Sequence, residues 1–393
     1  MIVAINCRSF LNKKYTGIGR YAYHLIKSLG DIDGENTYLL YAKKGIFNRN
    51  KHLPRFRSKS LHLVIDRFNK GMERSLGKVD VYHFPSPESL SLSKDSRIVV
   101  TIHDLIFKTF PEGHTQKTID DTEKQFNEIV LKADRLICCS KSTMCDLKRY
   151  FNVPSCKVRL IYQGVDKSVF YCISGKELTW AERAIRLRGI KAPFILSVGT
   201  IEPRKNLENI LHAFDRLRTK YKFRGKLVVI GMKGWMSDSI DGLIRKLELK
   251  NYVKFLGYLS DRELRWFYNK AEAFVFPSFY EGFGFPIVEA FCCGVPVLTS
   301  NVSSCPEVAG DAAVIVDPRS PDEIAEGIQR IIEDRNLRKS LIEKGFIRAG
   351  CFDLHKTARQ TLQVYQEVYT EKLLSDEIIN KKEKRSLYAD MRG

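Results

Sequence analysis

What most constrains this chain is the alternation of short, largely uninterrupted apolar runs with stretches of helical periodicity. In the first half the runs are Ile2–Ile5, Tyr38–Tyr41, Leu61–Ile65, Val79–His83, Ile98–Ile102, Arg135–Cys139 and Val158–Ile161. In the second half they are Phe194–Val198, Leu227–Ile230, Val253–Leu256, Ala273–Phe276, Val295–Thr299 and Ala313–Val316. Each run is too short for a helix, and most lack the polar alternation of a half-solvated strand. They read as parallel strands buried on both faces, with helices packed over them. Between them, Leu207, Ile210, Leu211, Phe214 and Leu217 recur with helical spacing. After Ser320-Pro321, Ile324, Ile328, Ile331 and Ile332 do the same.

A chain of 393 residues exceeds one ordinary core. The mixed polar stretch from Asp166 to about Lys191 has no sheet pattern and divides the α/β pattern into two doubly wound domains, 1–185 and 190–350, that meet at a cleft. A last amphipathic helix, about His355 to Leu374, carries Ala358, Leu362, Tyr365 and Val368/Tyr369 on one face. It is expected to occupy 351–375 and return to the first domain. Residues 376–393 form a charged tail, in which Asn380 to Arg385 is expected to fray.

Hydrophobic residues make up 44% and aromatics 11%, which excludes a disordered chain. No apolar run approaches the ~18 residues of a membrane span. The opening Met-Ile-Val-Ala-Ile-Asn-Cys-Arg reads as a first strand, not a signal peptide, so a cytoplasmic location is expected. The ten cysteines include the adjacent pairs Cys138/Cys139 and Cys292/Cys293 and no Cys-x-x-Cys. They read as reduced, mainly buried small hydrophobes, with no zinc site.

A net charge of +19 favours a polyanionic partner. It concentrates at Lys43, Lys44, Arg49, Lys51, Arg55, Arg57 and Lys59, with Phe47, Leu53 and Phe56 interleaved. Lys43–Lys59 has two open readings, a peripheral contact with the inner, anionic face of the cytoplasmic membrane or a solvated loop. No helix-turn-helix, RNP or zinc-finger signature supports a nucleic-acid partner.

Chemistry concentrates in four segments. Glu281-Gly-Phe-Gly-Phe-Pro-Ile-Val-Glu289 follows the run Ala273-Phe-Val-Phe-Pro277, and Pro286 suits a first helical turn. Strand, glycine loop and helix expose backbone N–H groups and a positive helix end to an anion, while the two carboxylates suit hydroxyls. A sugar nucleotide offers both. Thr16-Gly-Ile-Gly-Arg-Tyr-Ala22 has dinucleotide spacing. However, a long polar loop separates it from Ile5, and Lys43-Lys44 stands where a ribose-binding acid is required. Its glycines instead suit a backbone approach to a diphosphate, and Arg20 either adds charge there or stays on the surface. Ser197-Val-Gly-Thr-Ile-Glu-Pro-Arg-Lys-Asn206 brings two cations to a helix start. His103, in Ile98-Val-Val-Thr-Ile-His-Asp-Leu105, stands where a strand leaves its sheet, a place more often structural than catalytic for a lone histidine.

Together, Gly17-Ile-Gly-Arg20, Val100-Thr-Ile-His-Asp104, Gly199-Thr-Ile-Glu-Pro-Arg-Lys-Asn206, Glu281-x7-Glu289 and Pro306-Glu-Val-Ala-Gly-Asp-Ala-Ala313 resemble glycosyltransferase family 4. The resemblance runs from residue 1 to about 370 and is nearest to bacterial O-antigen and capsule mannosyltransferases. It implies a GT-B fold of two Rossmann-like domains and retaining transfer of a hexose, mannose-like by preference, from a nucleoside diphosphate sugar. The implied acceptor is a glycan or lipid-linked molecule of surface polysaccharide or lipopolysaccharide assembly.

The same resemblance assigns Glu289 to the donor ribose and Glu281 to the donor sugar, with backbone N–H groups of Phe283 and Gly284 near sugar hydroxyls and phosphate. Arg204 and Lys205 would hold the diphosphate. Gly17 and Gly19 would approach it from the first domain, and His103 would contact the transferred sugar. Gly199 opens the cation motif on the donor side, and Gly257-Tyr258 would contact the base. Thr200 stands where many members carry another arginine. No metal or other cofactor is implied, and Asp31-Ile-Asp33 before Gly34 reads as turn chemistry. The rival readings are a basic polyanion-binding protein without catalysis, and another GT-B enzyme such as a sugar-nucleotide epimerase or phosphorylase.

Overall fold

The computed structural model describes residues 1–11, 17–43, 56–93, 95–113, 115–191, 193–232 and 237–390. The first domain holds β1 (Ile2–Asn6), β2 (Thr37–Lys43), β3 (Leu61–Asp66), β4 (Val81–Phe84), β5 (Ile98–Ile102), β6 (Arg135–Cys138) and β7 (Val158–Leu160). The second holds β8 (Phe194–Val198), β9 (Lys226–Ile230), β10 (Val253–Phe255), β11 (Ala273–Phe276), β12 (Val297–Ser300) and β13 (Ala313–Val316). The sheet orders are β3-β2-β1-β4-β5-β6-β7 and β10-β9-β8-β11-β12-β13, with parallel ladders throughout. Strand order reverses beside β1 in one sheet and beside β8 in the other. The crevices above these reversals are where wound sheets receive ligands.

Every apolar run became a strand because helices cover both faces of each sheet. Val3, Ala4, Ile5, Leu196, Phe274 and Val275 are all buried. Two strands start later than their apolar runs. β4 begins after Asp80, whose carboxylate accepts the Ile2 N–H at 2.7 Å. β12 begins after Pro296, which has no N–H for a ladder and offers only its carbonyl, to Phe274 N–H.

The domain boundary differs from the expected 1–185. The helix Gly175–Leu187 belongs to the second domain, packed on the helix Asp261–Lys270. Its Glu177 accepts from Arg265 at 2.5 Å and from Trp266 at 3.0 Å, while Ala181 and Ile185 are buried. The stretch before it looked unpatterned because its partners lie some ninety positions further along.

The terminal helix, Leu354–Asp390, packs on the first helix, Gly17–Ile32. Ala358, Tyr365 and Val368 are buried, and the Tyr365 hydroxyl bonds His83 Nδ1 at 2.6 Å. The helix continues past Leu374, through the segment expected to fray. No glycine or proline interrupts Leu354 to Asp390. Val165 N–H donates to the Phe352 carbonyl at 3.2 Å, so the two passages of the chain between domains run side by side.

Asp33 is turn chemistry: it accepts from Glu35 N–H at 3.0 Å and from the Tyr38 hydroxyl at 2.5 Å. All ten cysteines are free and, as expected, mainly buried; Cys145, Cys156, Cys172 and Cys351 are the exposed ones. Most of the basic segment, residues 44–55, lies outside the described residues. Phe56 packs on Tyr23, ring centroids 5.6 Å apart. Among the described residues no helix is long and apolar enough to cross a membrane.

Candidate active site

A cleft of about 520 Å³ opens between the two sheet edges. On the second-domain side, β8 ends at Val198 and leads into the turn Pro203–Lys205. Asn206, in the left-handed region at φ +60°, stops that turn and starts the helix Leu207–Thr219. Its amide donates to the Pro277 carbonyl at 2.9 Å and the Pro318 carbonyl at 2.6 Å, pinning the cation turn to the loop after β11.

Arg204 Nη1 lies 2.8 Å from Glu281 Oε2, and Lys205 Nζ lies 2.5 Å from Glu281 Oε1. Arg204 Nη2 also reaches Glu202 at 2.6 Å, and Lys205 sits 4.9 Å from the Phe276 ring centroid. Burial opposes ionisation of Glu281, yet Arg204 and then Lys205 hold its carboxyl below the ordinary range. Burial pushes Lys205 down, with Glu281 opposing. Arg204 is raised by Glu281 and Glu202 against the opposing effect of burial. The two cations are thus held ready but neutralised by carboxylates.

The loop after β11 reaches the first domain. A Cβ at Gly282 would stand 2.0 Å from the His103 carbonyl oxygen, so only glycine permits this approach. Thr143 Oγ1 bonds both the His103 and Gly282 carbonyls, at 3.1 and 3.2 Å. Gly284, at φ +100°, turns the chain into the helix Phe285–Cys292, with Pro286 in its first turn. One turn on, Glu289 is 3% exposed and accepts from Arg20 Nη1 at 2.5 Å and from the Tyr268 hydroxyl at 3.1 Å. Burial raises its carboxyl; Arg20 and the Tyr268 bond temper the rise, while nearby Asp261 adds to it.

His103 lines the cleft with both ring nitrogens engaged. Nε2 lies 2.7 Å from the Pro85 carbonyl, which can only accept, so Nε2 carries the proton. Nδ1 then accepts from the Gln163 amide at 2.8 Å. Burial lowers the ring's pKa and keeps it neutral. A ring held this way has no free nitrogen to move its proton.

Arg204, Lys205, Glu281, Glu289, His103, Gly17, Gly199, Tyr258, Phe283 and Gly284 all line this one cleft. Gly19 and Gly257, read with them from the sequence, do not line it. Gly19 is buried within the first helix, and the Gly257 carbonyl accepts from Gly231 N–H at 3.0 Å. Arg20, Asp261, Tyr268 and Gln163 were missed as site residues. Only Arg20 had a signal, its place beside the glycine pair; the others act through partners far away in sequence. Among the described residues no group of three or more His, Cys, Asp and Glu is placed to hold a metal ion.

Residues 15–169 match the family described as Glycosyltransferase Family 4, and residues 179–348 match Glycosyl transferases group 1. O-antigen chain mannosyltransferase B of Escherichia coli is 30% identical over 381 residues, covering 89% of this chain and 96% of that protein. The chain belongs to glycosyltransferase family 4. Solved structures show the same GT-B fold. Sucrose-phosphate synthase from Thermosynechococcus elongatus superposes with a TM-score of 0.74 at 20% identity, covering 94% of this chain and 99% of that one. Anabaena HepE, in complex with UDP-glucose, gives 0.72 at 18% identity, covering 93% and 100%. In this family 4 transferase most of the site residues assigned from the family's motifs line the cleft between the sheets.

Proposed function

We propose that the protein is a retaining hexosyltransferase that moves a mannose-like sugar from a nucleoside diphosphate to a glycan or lipid-linked acceptor in surface polysaccharide assembly. The observation that carries this reading is the convergence in one cleft of a cation pair, Arg204 and Lys205, with two buried carboxylates, Glu281 and Glu289. The mannose preference draws support from the E. coli O-antigen relative, and the nucleotide-sugar donor from the UDP-glucose seen in HepE.

In this reading the vicinal ribose hydroxyls donate to Glu289, since a carboxylate accepts two hydrogen bonds side by side. The diphosphate lies toward Arg204 and Lys205, which exchange part of their bonding to Glu281 for phosphate oxygens as the sugar–phosphate bond lengthens. Glu281 and His103 face the sugar. The acceptor hydroxyl attacks the face that the phosphate leaves, and the phosphate takes its proton. No protein nucleophile is required. The basic segment Lys43–Lys59 would bring the enzyme to a membrane bearing a lipid-linked acceptor.

A panel of nucleotide sugars, scored by nucleoside diphosphate release with and without lipid-linked acceptor extract, tests the reading. Acceptor-dependent release with a new glycosidic product is expected. An epimer, a sugar phosphate, or salt-sensitive nucleic-acid binding without turnover would overturn it.

A further inference from the structure

Arg20 rises from the first turn of the helix Gly17–Ile32 in the first domain, and among the described residues both its hydrogen-bond partners belong to the second. One is Glu289, at 2.5 Å, and the other is Asp261, at the start of the helix Asp261–Lys270. The guanidinium also sits 5.5 Å from the Phe170 ring centroid. Glu289 is almost wholly buried, and among the described residues its carboxylate has one other partner, the Tyr268 hydroxyl.

Each carboxylate oxygen accepts two hydrogen bonds. Arg20 fills one position on Oε1 and Tyr268 one on Oε2, which leaves one on each oxygen for a vicinal diol. Without Arg20 the carboxylate would be buried against a phenol alone, and a buried charge without its counter-charge gives up ionisation.

We propose that Arg20 is a positioning residue for the donor: from across the cleft it holds Glu289 as an oriented carboxylate, so the ribose site is complete only while the two domains meet. This rests on the reading of Glu289 as the ribose ligand. The groups facing Glu289 are Arg20 from the first helix, Asp261 and Tyr268 from the helix Asp261–Lys270, and the thiols Cys292 and Cys293 at the end of its own helix. Arg20 in turn has His24 nearby, itself 3.6 Å from Asp166, and burial lowers the His24 pKa while Asp166 opposes.

Calorimetric titration of the full chain with GDP, UDP and their 2′-deoxy counterparts tests this, using wild type, Arg20→Ala and Arg20→Lys, with thermal unfolding to verify each fold. Arg20→Ala is expected to weaken binding about tenfold or more, as for loss of a charge-assisted hydrogen bond. In that variant burial acts on Glu289 without Arg20 to oppose it, so its pKa rises further. Affinity should therefore begin to fall at a higher pH than in wild type as the solution is acidified. The penalty for the missing 2′-hydroxyl should shrink in Arg20→Ala and be partly restored in Arg20→Lys, a selective effect that loss of packing alone does not produce. Should Arg20→Ala fail to fold, Arg20→Lys carries the same two readouts in weaker form. Unchanged or tighter binding by the variants, or weakening equal at all pH values and for both sugars, overturns the proposal: Arg20 is then a plug or a structural tie. Wild type binding none of these nucleotides instead removes the ribose reading itself, and the proposal with it.

Discussion

The two carboxylates of the Glu281-x7-Glu289 segment are anchored in opposite ways. Glu281 is bound by Arg204 and Lys205, both in its own domain and carried by the turn after β8. Glu289, on the helix that follows, is bound by Arg20 from the other domain, 269 positions away. The first cluster can form whenever the second domain is folded. The second exists only where both domains are in contact. Under the proposed roles, the phosphate cradle is preassembled and the nucleotide grip conditional, which would separate where affinity and turnover originate.

The largest effect expected from breaking this contrast is Lys205→Ala. If Lys205 stabilises the departing phosphate as an oxyanion donor does, turnover falls by roughly 10²–10³-fold, about 2.7–4 kcal/mol. Folding stability should change much less. Single-turnover rates at saturating donor check this, and full activity there would remove Lys205 from the leaving-group role. Glu289→Ala should act on the other side of the comparison, weakening nucleoside diphosphate binding by about tenfold to a hundredfold while leaving the fold intact. A calorimetric affinity equal to wild type would sink the ribose assignment.

A smaller contrast lies in pH. Glu281 is depressed by its cations, so its stabilising contribution is present above the ordinary carboxylate range and is lost as pH falls through its lowered value. Glu88 is the reverse: burial raises it to about 7, against the opposing effect of the exposed Arg8 guanidinium 3.7 Å away. Its contribution is present below the unfolded glutamate value and is lost as pH rises through about 7. Thermal unfolding across pH should therefore show Glu281→Gln losing stability at neutral pH and little in acid, and Glu88→Gln gaining stability on the alkaline side only. Parallel melting curves for the two variants would refute both assignments. The least effect is expected from the basic segment. Co-sedimentation of the chain with anionic vesicles should be measurable and weaken at high salt, and no binding at low salt returns Lys43–Lys59 to a solvated loop.

The fold was legible because strands buried on both faces leave continuous apolar runs, as Ile98–Ile102 and Ala273–Phe276 do. The shifted starts of β4 and β12 turned on single residues, Asp80 and Pro296, whose backbone chemistry a count of apolar residues does not register. In the site, residues within one motif were legible as a group. Contacts between motifs were not: Arg20 was open between a charge at the diphosphate and a surface cation, and the Gln163–His103 bond spans 60 positions. The helix Gly175–Leu187 was assigned to the wrong domain for the same reason, since Glu177 finds Arg265 only in three dimensions. Sequence spacing reports what one loop presents; it does not report what the facing domain presents in return.

Because the terminal helix Leu354–Asp390 lies on the first domain, the polypeptide enters the second domain and leaves it again, and the two passages are tied by the Val165–Phe352 bond. The molecule is a door hung on two adjacent pins. Any relative movement of its halves would have to bend both passages together. A protease that cuts one passage leaves the halves joined by the other.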